Sequence, residues 1–390
     1  MVLNNPGVLP FSDWNFYWIA AVAVVFTYLL KGILPKEKYG VYRFWLLFLG
    51  VLYCAVLYTN PIGIFGFLLY GYGIYYWLSH GKERSRGITV LLYILPLFLN
   101  KFLHVLPDLK TDVRAVLQIA GISYMTFKML QIHFDERQSN RIKIYDYANF
   151  LIFPPTLLIG PIDRFRRFEE NVSHGFNLIN QEQLNIGLTF IAQGILYKYI
   201  LATGVQTLVL DHLEGLPFVA FHLGQMYSYL IFLFFDFAGY SLLAMGLGNM
   251  LGIAVPFNFD RPFLAINPKE FWQRWHKSLG DWLNDYFFKP ILRYLALKNV
   301  LTPIARQSVA LFLTFTLMGF WNGFELHFVA SGMLFGLYSV VHNYYQMQCK
   351  KKKRDVLFGA LNPVIVKYLS VFIMFNVVAI SIYIFSGKLF

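Results

Sequence analysis

The chain has 390 residues, of which 57% are hydrophobic, 19% are aromatic and only 14% are charged. Soluble domains carry about 25% charged residues, so this composition excludes an ordinary soluble protein and indicates a polytopic membrane protein. The formal net charge is +12. The basic residues cluster in short loops between apolar runs, which favours membrane topology and contact with anionic lipids over nucleic-acid binding.

Apolar runs long enough to cross a bilayer recur along the chain, and they predict an all-α helix bundle with about 11 spanning helices. They lie near residues 14–31, 42–59, 61–78, 88–106, 113–131, 184–205, 217–235, 237–255, 305–324, 326–346 and 364–386. We expect one membrane domain over residues 1–390. The positive-inside rule predicts a cytoplasmic position for the basic loops 31–38, 79–87, 135–143, 163–168 and 349–355, with the N-terminus outside.

Two segments depart from this pattern. Residues 147–162 are apolar but contain Pro154, Pro155, Gly160 and Pro161. They predict a broken or re-entrant element, which a membrane tolerates only where protein or water covers the backbone.

The second segment, residues 256–303, is aromatic, charged and rich in proline. Asn267 and Pro268 are suited to the N-cap and first turn of a helix. From Pro268 onward, apolar side chains recur at steps of three and four residues, which predicts one face of an amphipathic helix at the membrane interface. These side chains are Phe271, Trp275, Leu279, Trp282 and Tyr286.

Three histidines, His276, His327 and His342, lie in apolar surroundings where an ionisable group is costly. Their spacing is unlike that of metal ligands, and nucleotide-binding and serine-nucleophile motifs are missing. A neutral histidine takes a proton from a hydroxyl group, so these residues are candidate general bases, or else buried histidines with structural partners. Asp236 is likewise either a structural acceptor or part of a substrate path.

The order of motifs resembles the membrane-bound O-acyltransferase family, and within it the bacterial DltB branch that transfers D-alanyl groups in teichoic acid modification. The resemblance is strongest over residues 257–291, with Phe271-Trp272-Gln273-Arg274-Trp275-His276 at its core and Trp282-Leu283-Asn284-Asp285-Tyr286 beyond it. The segments 121–132, 160–168 and 234–241 also match. The resemblance implies a helix bundle around a central tunnel.

The resemblance implies a catalytic histidine in a Trp-His-Gly motif, and the corresponding residues here are Trp321-Asn322-Gly323. An amide is not a general base, so the resemblance leaves His327 or His276 as the catalytic residue, with Asn322 holding an oxyanion or orienting the base. On a continuous helix, His327 is rotated by about 140° and displaced by ~7.5 Å from Asn322. His327 therefore replaces the motif histidine only if the helix is interrupted.

The resemblance further implies that the donor is a D-alanyl thioester on the phosphopantetheine arm of an acidic carrier protein at the cytoplasmic face. The acceptor is then a hydroxyl group of a polymer or lipid-linked molecule outside the bacterial cytoplasmic membrane. We expect no bound cofactor and no metal. The expected tunnel residues are Trp275, Asp236, Asp285 and Arg274.

Three alternatives remain open on the sequence. The first is O-acetylation of an exopolysaccharide by the same fold. The second is a catalytically inactive homologue that acts as a scaffold or regulator, which the asparagine at position 322 favours. The third is a transporter, which predicts internal repeats that the sequence lacks.

Overall fold

The computed structural model describes residues 11, 14–35, 39–58, 61–80, 86–102, 119–136, 142–299, 301–353 and 362–389. Every regular element among these residues is helical, which confirms the predicted all-α class. The α-helices are α1 Trp14–Ile33, α2 Tyr39–Leu57, α3 Pro61–His80, α4 Arg86–Phe102, α5 Ile122–Glu136, α6 Ile144–Leu151, α7 Phe165–Leu178, α8 Gln181–Ile195, α9 Thr203–Leu208, α10 Phe218–Met250, α11 Pro268–Arg274, α12 Lys277–Leu283, α13 Lys289–Lys298, α14 Pro303–Asn322, α15 Leu326–Lys351 and α16 Pro363–Phe385.

Among the described residues, seven helical stretches are long and apolar enough to cross a membrane. They are Asn15–Ile33, Gly40–Leu57, Pro61–Ser79, Gln181–His212, Phe218–Met250, Pro303–Asn322 and Pro363–Phe385. Helix α4 is apolar but shorter. The first residues of the predicted span 113–131 lie outside the described residues.

Helix α10 corrects one prediction, because residues 217–235 and 237–255 do not form two spans. A single helix of 33 residues runs from Phe218 to Met250. This stretch contains no proline, so nothing removes a backbone hydrogen bond between its two apolar halves. The acidic residue Asp236 therefore lies inside a helix rather than in a turn.

The chain separates into two compact units. The first comprises Met1–Ile195 and Tyr240–Pro256, and the second comprises Leu196–Gly239 and Phe257–Phe390. All the candidate site residues belong to the second unit. The expectation of one membrane domain around a central tunnel stays a prediction.

The broken element predicted at residues 147–162 belongs to the first unit. Helix α6 ends at Leu151, and a short 3-10 turn follows at Pro154–Thr156. The buried ammonium group of Lys128 donates to the carbonyl oxygens of Phe150 and Thr156, at 3.0 and 3.2 Å. A protein side chain thus satisfies carbonyl groups that lack a helical partner, as a non-helical segment at membrane depth requires.

Close packing orders the helices of the second unit. Helices α14 and α15 approach so closely that a Cβ atom on Gly332 would lie 2.5 Å from the carbonyl oxygen of Phe315. On the other side of α15, the hydroxyl of Ser331 donates to the carbonyl of Ser381 on α16 at 2.8 Å. Small residues at such contacts let helix backbones pack tightly in a membrane.

Candidate active site

The aromatic element predicted as one helix is interrupted at His276. Helix α11 ends at Arg274 and α12 begins at Lys277, while His276 has φ of 45° and ψ of 47°. This left-handed conformation costs a residue other than glycine roughly 1–2 kcal/mol. Two hydrogen bonds of 2.9 Å hold the interruption, from Lys277 N–H to the carbonyl of Asn258 and from Asp260 N–H to the carbonyl of Arg274.

Other features of this element agree with the sequence analysis. The side chain of Asn267 accepts a hydrogen bond of 2.8 Å from the N–H of Glu270, which confirms the predicted N-cap before Pro268. The predicted apolar face is buried at Phe271, Trp275, Leu279 and Trp282. The pattern therefore marks the buried face correctly, although the backbone changes direction within it.

The side chain of His276 is oriented by Asn258. Nδ1 of His276 lies 3.2 Å from Oδ1 of Asn258. That oxygen also accepts hydrogen bonds from the hydroxyl of Ser278 at 2.7 Å and from its N–H at 3.2 Å. Since an amide oxygen only accepts hydrogen bonds, Nδ1 of His276 is the protonated nitrogen, and Nε2 carries the lone pair.

The surroundings of the ring keep His276 neutral. The ring of Phe237 meets the imidazole edge to face, with the ring centres 4.7 Å apart. Burial lowers the pKa of His276 to about 3, because the charged form loses its hydration. At neutral pH the imidazole is therefore uncharged, with the lone pair on Nε2.

Trp275, a predicted tunnel residue, is a core residue of the second unit. Its side chain is 5% exposed. It stacks on Phe271, with ring centres 5.6 Å apart, and meets Phe259 edge to face at 5.2 Å. Such aromatic contacts fix the end of α11 and hence the position of the next residue, His276.

Asn322, which occupies the motif histidine position, is the last residue of α14. Its amide nitrogen donates to the carbonyl of Met318, one turn earlier in the same helix, at 2.8 Å. The next residue, Gly323, has an extended backbone, and α15 begins only at Leu326. The helix is thus interrupted, which is the condition for His327 to take the place of the motif histidine.

His327 lies in the first turn of α15. Its imidazole covers Gly387, where an added Cβ atom would lie 3.3 Å from Nδ1. Farther along the same helix, the ring of Phe335 stacks on Phe271 of α11 at 6.1 Å. His327 and Phe335 are eight positions apart, which corresponds to ~12 Å along the helix. Among the described residues, no hydrogen bond or ring contact joins His327 to His276.

Asp236 has a partner that the sequence analysis did not identify. The ammonium group of Lys198 forms an ion pair with its carboxylate. Lys198 lies in a π-helical turn, Leu196–Ala202, within the apolar stretch Gln181–His212. A charge at membrane depth is commonly paired in this way, since an isolated charge there is costly.

The remaining two predicted tunnel residues form pairs within their own helical segments. A carboxylate oxygen of Asp285 lies 2.8 Å from the ammonium group of Lys289. The guanidinium group of Arg274 lies 2.6 Å from the carboxylate of Glu270. These i,i+4 pairs follow from sequence spacing alone. The assignment of Trp275, Asp236, Asp285 and Arg274 to a substrate tunnel stays a prediction.

Comparisons with known proteins identify the family of this chain. The model of the membrane-bound O-acyltransferase family matches residues 11–385. The teichoic acid D-alanyltransferase of Streptococcus thermophilus is 30% identical over 408 residues, which cover 98% of this chain and 96% of that protein. The teichoic acid D-alanyltransferase of Bacillus subtilis is 29% identical over 399 residues, which cover 98% of each chain.

A relative with a different printed activity matches a shorter region. The probable alginate O-acetylase of Pseudomonas aeruginosa is 30% identical over 227 residues, which cover 57% of this chain and 42% of that protein. The family match spans nearly the whole chain, and the structure supplies several helices that can cross a membrane. The chain belongs to the membrane-bound O-acyltransferase family and is a multi-pass O-acyltransferase of a bacterial membrane.

Proposed function

We propose that this enzyme moves a D-alanyl group from a carrier-protein thioester to hydroxyl groups of a teichoic-acid-like polymer outside the cell. Two relatives whose printed name is teichoic acid D-alanyltransferase each align with 98% of this chain, which supports the choice of acyl group. The observation that carries the proposed chemistry is the hydrogen bond between His276 and Asn258.

In this mechanism His276 is the general base. Nε2 of His276 takes the proton of the acceptor hydroxyl while the hydroxyl oxygen attacks the thioester carbonyl. The carbon–sulfur bond then breaks, and the proton on Nε2 returns to the leaving thiolate. Asn258 holds the Nδ1–H tautomer throughout, which is the role of an orienting acceptor beside a catalytic histidine.

Asn322 receives no proton-transfer role in this mechanism. Its amide does not titrate near neutral pH, and its nitrogen is already bonded to the carbonyl of Met318. His327 remains the competing candidate for the base. Because α14 ends before Gly323, the position of His327 does not follow from a continuation of that helix.

Charge supports an acidic carrier protein as the donor. Lys289, Arg293 and Lys298 are exposed on α13, and four lysines at positions 350–353 are exposed at the end of α15. The positive-inside rule places the second group in the cytoplasm. An acidic partner is attracted to such a surface and is oriented by it.

Mass spectrometry of the product tests the proposed function. The purified chain, in proteoliposomes, is supplied with a D-alanyl carrier protein on one side and a polyol-phosphate polymer on the other. We expect a D-alanyl ester on the polymer. When an acetyl donor is supplied instead, we expect no acetyl ester. The shorter match to an alginate O-acetylase favours acetyl transfer as the second candidate. Acetyl ester without D-alanyl ester would establish that candidate instead.

A further inference from the structure

The π-helical turn Leu196–Ala202 contacts the middle of α10 through two consecutive side chains. The ring of Tyr197 meets that of Phe235 edge to face, with the ring centres 5.2 Å apart. The next residue, Lys198, forms the ion pair with Asp236. On a regular helix, consecutive side chains differ in direction by about 100°, whereas the wider π turn lets both reach the same neighbouring helix. Single π turns are rare, and many of them occur at functional sites.

Two phenylalanines of the same part of α10 pack around the candidate base. Phe234 and Phe237 are three positions apart and therefore lie on one side of the helix. The ring centre of Phe237 lies 4.7 Å from that of His276. The ring centre of Phe234 lies 6.2 Å from that of Trp275, the residue before the base. Residues 234–237 thus connect the π turn to the two residues that follow α11.

Phe259 extends these contacts to the acceptor that orients the imidazole. Its ring centre lies 5.8 Å from that of Phe234 and 5.1 Å from that of Phe237. Phe259 directly follows Asn258, whose Oδ1 lies 3.2 Å from Nδ1 of His276. A shift of this part of α10 therefore displaces the acceptor as well as the imidazole.

Stability alone does not explain why a lysine and an aspartate are paired here. Lys198 and Asp236 both lie in helical stretches apolar enough to cross a membrane. Replacing an ion pair that is withdrawn from water by apolar side chains of similar volume is often neutral or stabilising. Apolar contacts are non-directional, whereas an ion pair holds one side chain opposite another. The pair therefore selects one position of α10 relative to the π turn.

We propose that Lys198 and Asp236 are positioning residues for the base. Their ion pair fixes α10 against the π turn, and Phe237 transmits this position to the imidazole of His276. Neither charged group takes a proton in the reaction. The inference rests on the proposed function, in which His276 is the general base. A displacement of ~1 Å at a reacting group costs about a hundredfold in rate, so a base needs such support.

An apolar pair of similar size separates positioning from stability. The test variant combines Lys198→Met with Asp236→Leu, so that neither charge is left without its partner. Lys198→Arg is the conservative variant, because a guanidinium group keeps the ion pair. Tyr227→Phe is the matched control. It removes the hydrogen bond from Tyr227 to Asn376, which joins α10 to α16 two turns before residues 234–237.

We expect the double variant to unfold within a few degrees of the parent chain but to lose about 10–100-fold in kcat, with little change in KM. Lys198→Arg and Tyr227→Phe should both keep kcat within a few-fold of the parent chain. Asp236→Asn weakens the pair at nearly constant volume and should lower kcat in the same direction, but less.

A second measurement reports the state of the imidazole without any substrate. In a chain with nitrogen-15-labelled histidine, the chemical shifts of the two ring nitrogens show which of them carries the proton. The signal of His276 is the one that disappears in His276→Gln. We expect the Nδ1–H tautomer alone in the parent chain and in Lys198→Arg, and a mixture of both tautomers in the double variant.

An unchanged kcat in the folded double variant would overturn the proposal. A fall in kcat that only matches the loss of folded protein, with a single tautomer, would also overturn it. The two measurements separate this inference from the proposed function. No D-alanyl transfer by the parent chain, together with mixed tautomers in the double variant, would contradict the function and keep the positioning role. D-alanyl transfer with the same kcat and a single tautomer in the double variant would do the reverse.

Discussion

Nδ1 of His276 and Oδ1 of Asn258 lie 3.2 Å apart, although the two residues are separated by 18 positions in the chain. The same asparagine accepts the N–H of Lys277 through its backbone carbonyl. One residue thus fixes both the left-handed backbone at the end of α11 and the tautomer of the histidine. The candidate base is oriented by its neighbours before any substrate binds.

Replacing Asn258 should therefore impair catalysis more than substrate binding. Asn258→Ala removes the acceptor for Nδ1–H, and we expect kcat to fall by about 10–100-fold with a smaller change in KM. Asn258→Asp keeps an acceptor at the same place and should recover most of the rate. A purely structural role predicts instead that both variants lose rate in proportion to their loss of thermal stability.

Asn322→His restores the histidine that the family motif contains. If His276 is the base, we expect this change to alter the transfer rate by less than about tenfold, because the amide of Asn322 neither gains nor loses a proton near neutral pH. The measurement is the initial rate of D-alanyl ester formation, with Asn322→Gln as the control. An increase of several orders of magnitude would contradict the account and identify the natural chain as an inactive homologue.

The ion pair between Lys198 and Asp236 should behave as an energetically coupled pair. Lys198→Met alone leaves a carboxylate without its partner inside an apolar helix, so we expect a clear loss of thermal stability. The double variant Lys198→Met with Asp236→Asn should be more stable than Lys198→Met alone. Additive losses in this double-mutant cycle, measured in detergent, would show that the two residues do not interact.

Glu169 should make the stability of the first unit depend on pH. Arg43 contacts both Glu169 and Asp146, yet burial and the charge of Asp146 raise the pKa of Glu169 to about 7. The folded chain thus binds this proton more tightly than the unfolded chain, where glutamate has a pKa of about 4.3. The contribution of Glu169 to the free energy of unfolding is therefore complete below pH ~4.3. It is lost as the pH rises to about 7.

The matched variants for this effect are Glu169→Gln and Glu170→Gln. We expect the unfolding temperature of the parent chain to fall between pH 5 and pH 8, and Glu169→Gln to reduce that fall. Glu170 is the exposed neighbour, so its variant should follow the parent chain. If both variants show the same fall in unfolding temperature, Glu169 is not the group that causes it.

Local sequence signals were enough for the helical class and for several helix starts. Asn267 followed by Pro268 predicts a helix start because capping and a fixed φ act within one turn. The structure confirms this N-cap. The apolar spacing after Pro268 likewise identifies the buried side chains, since it depends only on helix geometry.

The interruption at His276 was not predictable from local spacing. It depends on hydrogen bonds with residues 258–260, in which Asp260 N–H donates to Arg274 and the carbonyl of Asn258 accepts from Lys277. The partners of Asp236 and of Lys128 were not predicted either, because each lies far away in the sequence. Lys198 is 38 positions from Asp236 in the chain, and Lys128 is 28 from Thr156. A single sequence gives no signal for such pairs.

The central claim is that His276, rather than His327, is the general base. The most direct measurement is the rate of D-alanyl transfer by reconstituted His276→Gln and His327→Gln, each compared at equal amounts of folded protein. The account predicts that His276→Gln loses at least about a hundredfold in kcat, the usual contribution of a general base, while His327→Gln stays within a few-fold of the parent chain. Full activity of His276→Gln, together with loss of activity in His327→Gln, would contradict it.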